Sequence, residues 1–240
     1  MTKGIFMKKK IVTIHQPDFM PWLGFFKKIN QSDTFVVLDH VTNKYKGQSW
    51  FRRVMLANHS GQYWLSISIK KPENNSYLPI NEMRINKEVD YTNSLKTIQR
   101  VYAKAPYFHT VYPLVERWFN SNEPLLYKRN MSFIIDVMAL LNIDTKIIYS
   151  HPLNYKSKSN ELLIEILKSQ NADVYRCGDG ASGYQKDNLF LNNSIEIEYN
   201  NFEIEPYTQI NTKEFQGGLS IVDTLMNIGV EETKKIINKI

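Results

Sequence analysis

The chain has 240 residues, 42% of them hydrophobic and 22% charged, which fits one globular domain and excludes a disordered or collagen-like chain. No run reaches the ~18 apolar residues of a membrane span, and a lone cysteine, Cys177, excludes an internal disulfide and a cysteine-rich metal site. The formal charge of +6 comes from scattered lysines without a basic helix or an RNA-binding signature, so the expected partner is an anionic small substrate and no nucleic acid.

In chain order, Met1 to Lys10 ends in Lys8-Lys9-Lys10 with no signal-like apolar run before Ile11, and the cytoplasm is the expected compartment. Ile11 to Ile14 reads as a buried strand that stops before Pro17. Pro17 and Pro21 bracket a loop, and Trp22 to Ile29 carries apolar residues at helical spacing. Thr34 to Leu38 is a second strand, ending in Asp39. Strand, helix and strand in so short a span predict a βαβ unit with parallel strands, whose ligands gather beyond the strands' C-terminal ends.

A polar stretch from Thr42 to Ser49 leads to two strands, Trp50 to Leu56 and Tyr63 to Ile69, around His59-Ser60-Gly61. Lys70 to Pro79 is a polar connection, with a further strand expected near Ile80 to Ile85. The middle, 91–142, reads as helical: Tyr91 to Tyr102, Tyr107 to Phe119 and Pro124 to Leu141. A strand at Lys146 to Tyr149, a helix at Asn160 to Lys168 and a strand at Asp173 to Cys177 follow. Gly178 to Tyr184 is a glycine-rich loop and Ser194 to Glu198 a strand. Helices are expected at Leu219 to Ile228 and, after Gly229, at Glu231 to Ile240. The pattern predicts an α/β fold in one domain, with an N-terminal βαβ unit, a parallel sheet and a helical middle section.

Three segments could carry chemistry. In His15-Gln16-Pro17-Asp18-Phe19-Met20-Pro21-Trp22 the prolines fix the backbone and polar groups cluster where the strand delivers them. His15 suits general acid–base work, and Gln16 can donate and accept at once. Asp18 is a candidate substrate contact, and Trp22 and Phe19 offer flat surfaces for a sugar or base. The alternative is a histidine that only ends a strand, beside aromatics that are core. In the second segment, Asp39 can orient a histidine or hold an amine. Arg52 and Arg53 can pin a phosphate, while Lys44 and Lys46 read as solvated surface. The third, Cys177 to Tyr184, could bring backbone amides to an anion, with Ser182 and Tyr184 as substrate contacts. It lacks the P-loop and dinucleotide spacings, and Cys177 reads as a buried structural thiol. Ser220 reads as the cap of the late helix. His59, His109 and His151 carry no ligand spacing and read as structural. No metal motif is present.

The run Ile14-His15-Gln16-Pro17, with Pro21-Trp22-Leu23-Gly24-Phe25-Phe26 and Asp33 to Asp39, resembles the opening of the WbqC-like family. Later pieces agree in order: Arg53, Trp64-Leu65, Tyr102, Lys104 to Phe108, Tyr175, Gly178, Tyr184 and Leu219 to Asp223. The likeness covers nearly the whole chain. It departs from the family pattern at His40 and Thr42, at Arg52, and at Asp179 after Gly178, differences that bear on substrate identity. The resemblance implies a cytoplasmic step in bacterial O-antigen or other surface-polysaccharide synthesis: N-acyl or aminoacyl (for example glycyl) transfer to a nucleotide-linked amino sugar. It implies an activated acyl donor, and thus an acyl or aminoacyl carrier, and identifies no cofactor. In this reading His15 takes a proton from the amine, Asp39 orients His15 or the amine, Arg53 holds the diphosphate and Trp22 stacks on sugar or base. The competing readings are a nucleotidyl-transfer enzyme and a non-catalytic partner in a polysaccharide assembly complex.

Overall fold

Strand β1, Ile11–His15, is the central strand of a five-stranded sheet. The computed structural model describes residues 8–44, 48–73, 77–178, 185–210 and 212–239, with only the backbone of Lys44. Helix α1, Leu23–Asn30, returns the chain to β2, Thr34–Val37, which pairs with β1 in parallel. The Asp33 carboxylate accepts the Ile11 amide at 2.8 Å and Asp33 donates its own amide to the Ile11 carbonyl, which sets the register at the sheet's lower edge.

A long excursion follows β2. Strand β3, Thr42–Lys44, pairs with β6, Tyr77–Pro79, and β4, Arg53–Asn58, forms a hairpin with β5, Gly61–Ser66. Helices α2, Thr92–Tyr102, α3, Phe108–Asn120, and α4, Leu126–Leu140, make the helical middle. The chain then re-enters the sheet as β7, Lys146–Tyr149, beside β2. Helix α5, Ser159–Ser169, crosses to β8, Val174–Cys177, on the other side of β1. A short helix α6, Asp187–Leu191, leads to β9, Glu196–Tyr199, at the far edge. Helix α7, Ile221–Asn238, closes the chain, broken at Gly229 (φ 78°, ψ 179°) where the sequence splits two helical patterns.

All pairs of this five-stranded sheet are parallel, in the order β7-β2-β1-β8-β9. Counting only its own strands in chain order, the order is 3-2-1-4-5, the doubly wound arrangement whose direction of growth reverses beside the first strand. Side chains of successive strand residues alternate between faces. Val12, Ile14 and Val36 pack with Leu162, Ile166, Leu167 and Phe190 on one side. Phe35 and Val37 pack with Phe25, Phe26, Ile134 and Ile221 on the other. Both faces are dry, as a parallel sheet requires.

The expected strand near Ile80 to Ile85 is a turn. After Pro79, the Ile80 and Asn81 amides donate to the carbonyls of Val41 and Asp39, and Met83 donates back to Ile80. Buried Ile80, Met83 and Ile85 therefore do not follow the strand period of two; only Arg84 and Ile85 form isolated bridges. The stretch read as polar connections instead supplies the β3 and β6 pair. No helix among the described residues is long and apolar enough to cross a membrane.

Candidate functional site

A cleft of about 460 Å³ opens beyond the C-terminal ends of β1 and β2, with Tyr175 of the neighbouring β8 in its lining, on the sheet whose order reverses beside β1. His15, Gln16 and Asp18 line one wall, Ser49 and Trp50 the mouth, and Ser159 and Asn160 of α5 the opposite wall. The loop 16–22 that delivers the first wall is fastened from outside its own segment. The fully buried Asn130 donates through Nδ2 to the carbonyls of Pro17 and Phe51, 2.8 Å each, and accepts Trp118 Nε1–H. The Trp50 carbonyl accepts the Phe19 amide, and the Pro21 carbonyl accepts that of Ile221. Ser220 Oγ donates to the Met20 carbonyl at 2.7 Å while accepting the Val222 amide, so the expected helix cap also clamps the loop. Met20 needs that clamp: its φ of 43° is a left-handed conformation that costs a non-glycine residue about 1–2 kcal/mol. Ser159, with φ 54°, brings the same kind of strain to the facing wall.

The His15 imidazole stands edge-on to Phe25, with Nδ1 3.0 Å from the Gln16 carbonyl and 3.6 Å from Asp18 Oδ2. A carbonyl only accepts, so Nδ1 carries the proton and Nε2 is left as an acceptor. Burial pushes the His15 pKa down to about 3, with the ammonium of Lys28 adding to it, against the pull of the Gln16 carbonyl. Burial pushes Asp18 the other way, up to about 7, opposed by Lys28. At neutral pH the imidazole is thus uncharged and weakly basic, and the titrating group of the pair is Asp18. Asn160, on the facing wall, is 5% exposed, and its Oδ1 is buried with no donor among the described residues. The free Nε2 of His15 and the Asp18 carboxyl, on one wall, suit a ligand rich in N–H or O–H donors.

A model of the WbqC-like protein family matches residues 16–235. The chain belongs to the WbqC-like protein family. An uncharacterized protein of Mycobacterium tuberculosis, Rv1507c, is 25% identical over 234 residues, covering 94% of this chain and 96% of the relative. No solved structure matches. The WbqC-like match begins at Gln16, the first residue of the clamped loop, and runs past Ser220, which closes it.

The other expected site residues of this WbqC-like chain fall elsewhere. Asp39 leaves β2 on the side away from His15. It is fully buried and accepts His151 Nδ1–H at 2.5 Å, the His151 amide at 3.0 Å and Ser150 Oγ–H at 3.0 Å. Asp39 therefore orients His151, not His15, and the half-exposed His151 ring stands near Tyr127 and Tyr149 on a separate opening. Ser150 also meets His40 Nδ1, at 2.6 Å. Trp22 turns from the cleft, lying over Gly24 and against Phe202. Phe19 is core, packed on Trp118. Arg53 stacks its guanidinium on Trp64, 3.9 Å from the ring centroid, and donates to Gln48 at 3.3 Å. Ser182 and Tyr184 lie outside the described residues. Cys177 is buried, its thiol pushed up to about 11 by desolvation, which makes it a packing residue and not a nucleophile. Among the described residues no group of three His, Cys, Asp or Glu side chains could hold a metal ion.

Sequence reasoning missed Asn160 and His151. Asn160 reads only as the first residue of a helix, and nothing in the sequence sets it apart from other helix starts. His151 becomes visible only when β7 is placed beside β2.

Proposed function

We propose that this WbqC-like protein transfers an acyl or aminoacyl group to the amine of a nucleotide-linked amino sugar during bacterial surface-polysaccharide synthesis, with Asp18 as the proton acceptor. The observation that carries the reading is the pairing of an Asp18 carboxyl titrating near pH 7 with a neutral His15, across a cleft from the unpartnered Asn160. An amine nucleophile presents N–H donors to acceptors of this kind. Its nitrogen attacks the carbonyl carbon of an activated acyl donor, a C–N bond forms, the bond to the donor's leaving group breaks, and the amine proton passes to the Asp18 carboxylate. A base whose pKa lies near the working pH serves that transfer best. His15 Nε2 orients the amine and the neighbouring hydroxyl groups.

The test is to incubate the protein with nucleotide-linked amino sugars and acyl thioesters and weigh the products by mass spectrometry. The expected result is an acylated sugar whose formation falls about 10²–10⁴-fold in a folded Asp18→Asn variant. No product from any donor–sugar pair, or full activity in that variant, overturns the reading. Nucleotidyl transfer is the second reading, favoured by the 3-2-1-4-5 strand order; magnesium-dependent pyrophosphate release from a nucleoside triphosphate would select it.

A further inference from the structure

Two of the four tryptophans stand in water. Trp50 is 45% exposed and Trp64 42%, their rings 5.1 Å apart and tilted by 60°. Trp118, by contrast, is buried in the core, and Trp22 is packed on Phe202. Large exposed aromatics held together, Trp64 on β5 and Trp50 in the turn before β4, forgo apolar burial, and such pairs suit a flat ligand.

Their placement says which ligand. Trp50 lines the mouth of the cleft that holds His15 and Asp18. Its carbonyl is bonded to the Phe19 amide, and the next carbonyl, Phe51, to Asn130, so the residue is fixed to the loop that carries Asp18. Trp64 lies on β5 opposite Met55 of β4, with the Arg53 guanidinium over its ring. Among the described residues Arg53 also donates to Gln48, at 3.3 Å, a long bond that an anion can displace. A flat π-surface beside a fixed guanidinium selects a ligand that is both planar and anionic. A neutral sugar has neither property; a nucleoside diphosphate has both, and the net charge of +6 favours its approach.

We infer that Trp50 and Trp64 form the stacking platform for the base of a nucleoside diphosphate, with Arg53 on its phosphates, at the mouth of the His15–Asp18 cleft. The inference rests on the nucleotide-linked substrate of the proposed function and assigns its recognition to residues other than Trp22. Base and reacting group are then held on two chain segments tied together by the hydrogen bond from the Phe19 amide to the Trp50 carbonyl.

The experiment is a titration of the full chain, following tryptophan fluorescence, with uridine, thymidine, cytidine and guanosine diphosphates and with inorganic pyrophosphate. Wild type, Trp50→Ala, Trp64→Phe, Arg53→Gln and Trp22→Phe are compared, each checked for an unchanged melting curve. The expected result is saturable quenching by at least one nucleoside diphosphate. Kd should rise about tenfold or more in Trp50→Ala and less in Trp64→Phe, which keeps a ring. Arg53→Gln should weaken binding and flatten its salt dependence, and Trp22→Phe should bind like wild type. Three results overturn the inference: no quenching by any nucleotide, unchanged Kd in Trp50→Ala, or pyrophosphate binding as tightly as the nucleotides. Nucleotide binding that depends on Trp50 without any transfer to an amino sugar would sink the proposed function and leave the platform standing. Transfer at full efficiency in Trp50→Ala would do the reverse.

Discussion

Replacing Asp18 by Asn should stabilise the protein above neutral pH while removing its activity. In the folded chain the carboxyl is 8% exposed and titrates near 7, against an ordinary value of 3.8. The folded state therefore holds this proton more tightly than the unfolded state does. The sign follows: stability is unaffected by the group below about pH 4, falls as pH rises towards 7, and stays reduced beyond it. At about 1.36 kcal/mol per pH unit the shift sets a ceiling of about 4 kcal/mol on the cost of ionising Asp18. Asn fills nearly the same volume and never ionises, so the variant escapes that cost. Urea melts of wild type and Asp18→Asn between about pH 4.5 and 9 measure the difference. His15, whose pKa is lowered to about 3, costs stability as pH falls through about 6.5, but it does so in both proteins and cancels to first order. The variant should exceed wild type by about 1 kcal/mol near pH 4.5 and by up to about 4 kcal/mol at pH 8. A difference that does not change with pH, or a variant that is weaker at pH 8, refutes the reasoning.

Three further outcomes follow from the same structure. Asn130→Ala leaves the buried carbonyls of Pro17 and Phe51 without their donor and should cost about 2–4 kcal/mol in urea melts, together with ligand binding in the cleft. Lys28→Met removes a positive charge that lowers both pKa values; the acidic limb of the pH–activity profile should move to higher pH, and a limb that stays in place counts against Asp18 as the base. Gly229→Ala meets a positive φ and puts a Cβ 2.6 Å from the Tyr107 ring, so thermal melts should show a loss of about 2 kcal/mol or more.

The fold was legible where neighbours in sequence decide it. The apolar run at Ile11–His15, the two prolines after it and the helical spacing of Leu23, Phe25, Phe26 and Ile29 are enough to predict the βαβ unit, and it stands. The break at Gly229 was equally plain. What sequence could not supply was the facing of side chains across long separations. Asp39 and His151 are 112 residues apart, and only the pairing of β2 with β7 makes them partners. Trp22 could equally face the cleft or the 202 segment until Phe202 was seen against it. The titration of His15 and Asp18 turns on burial beside Lys28: desolvation lowers the imidazole and raises the carboxyl, and the proposed role of Asp18 as base rests on that. Ile80 to Ile85 read as a strand because its apolar residues are β-branched or large, while Pro79 and the carbonyls of Asp39 and Val41 draw it into a turn.

The most direct measurement is an NMR titration of ¹³C-carboxyl-labelled aspartate in the folded protein, with the Asp18→Asn spectrum identifying the resonance that disappears. A midpoint near pH 7 is the expected result and leaves the cleft with a usable base. A midpoint near pH 4 would mean a permanently ionised carboxylate, too weak a base for the amine, and would contradict the account.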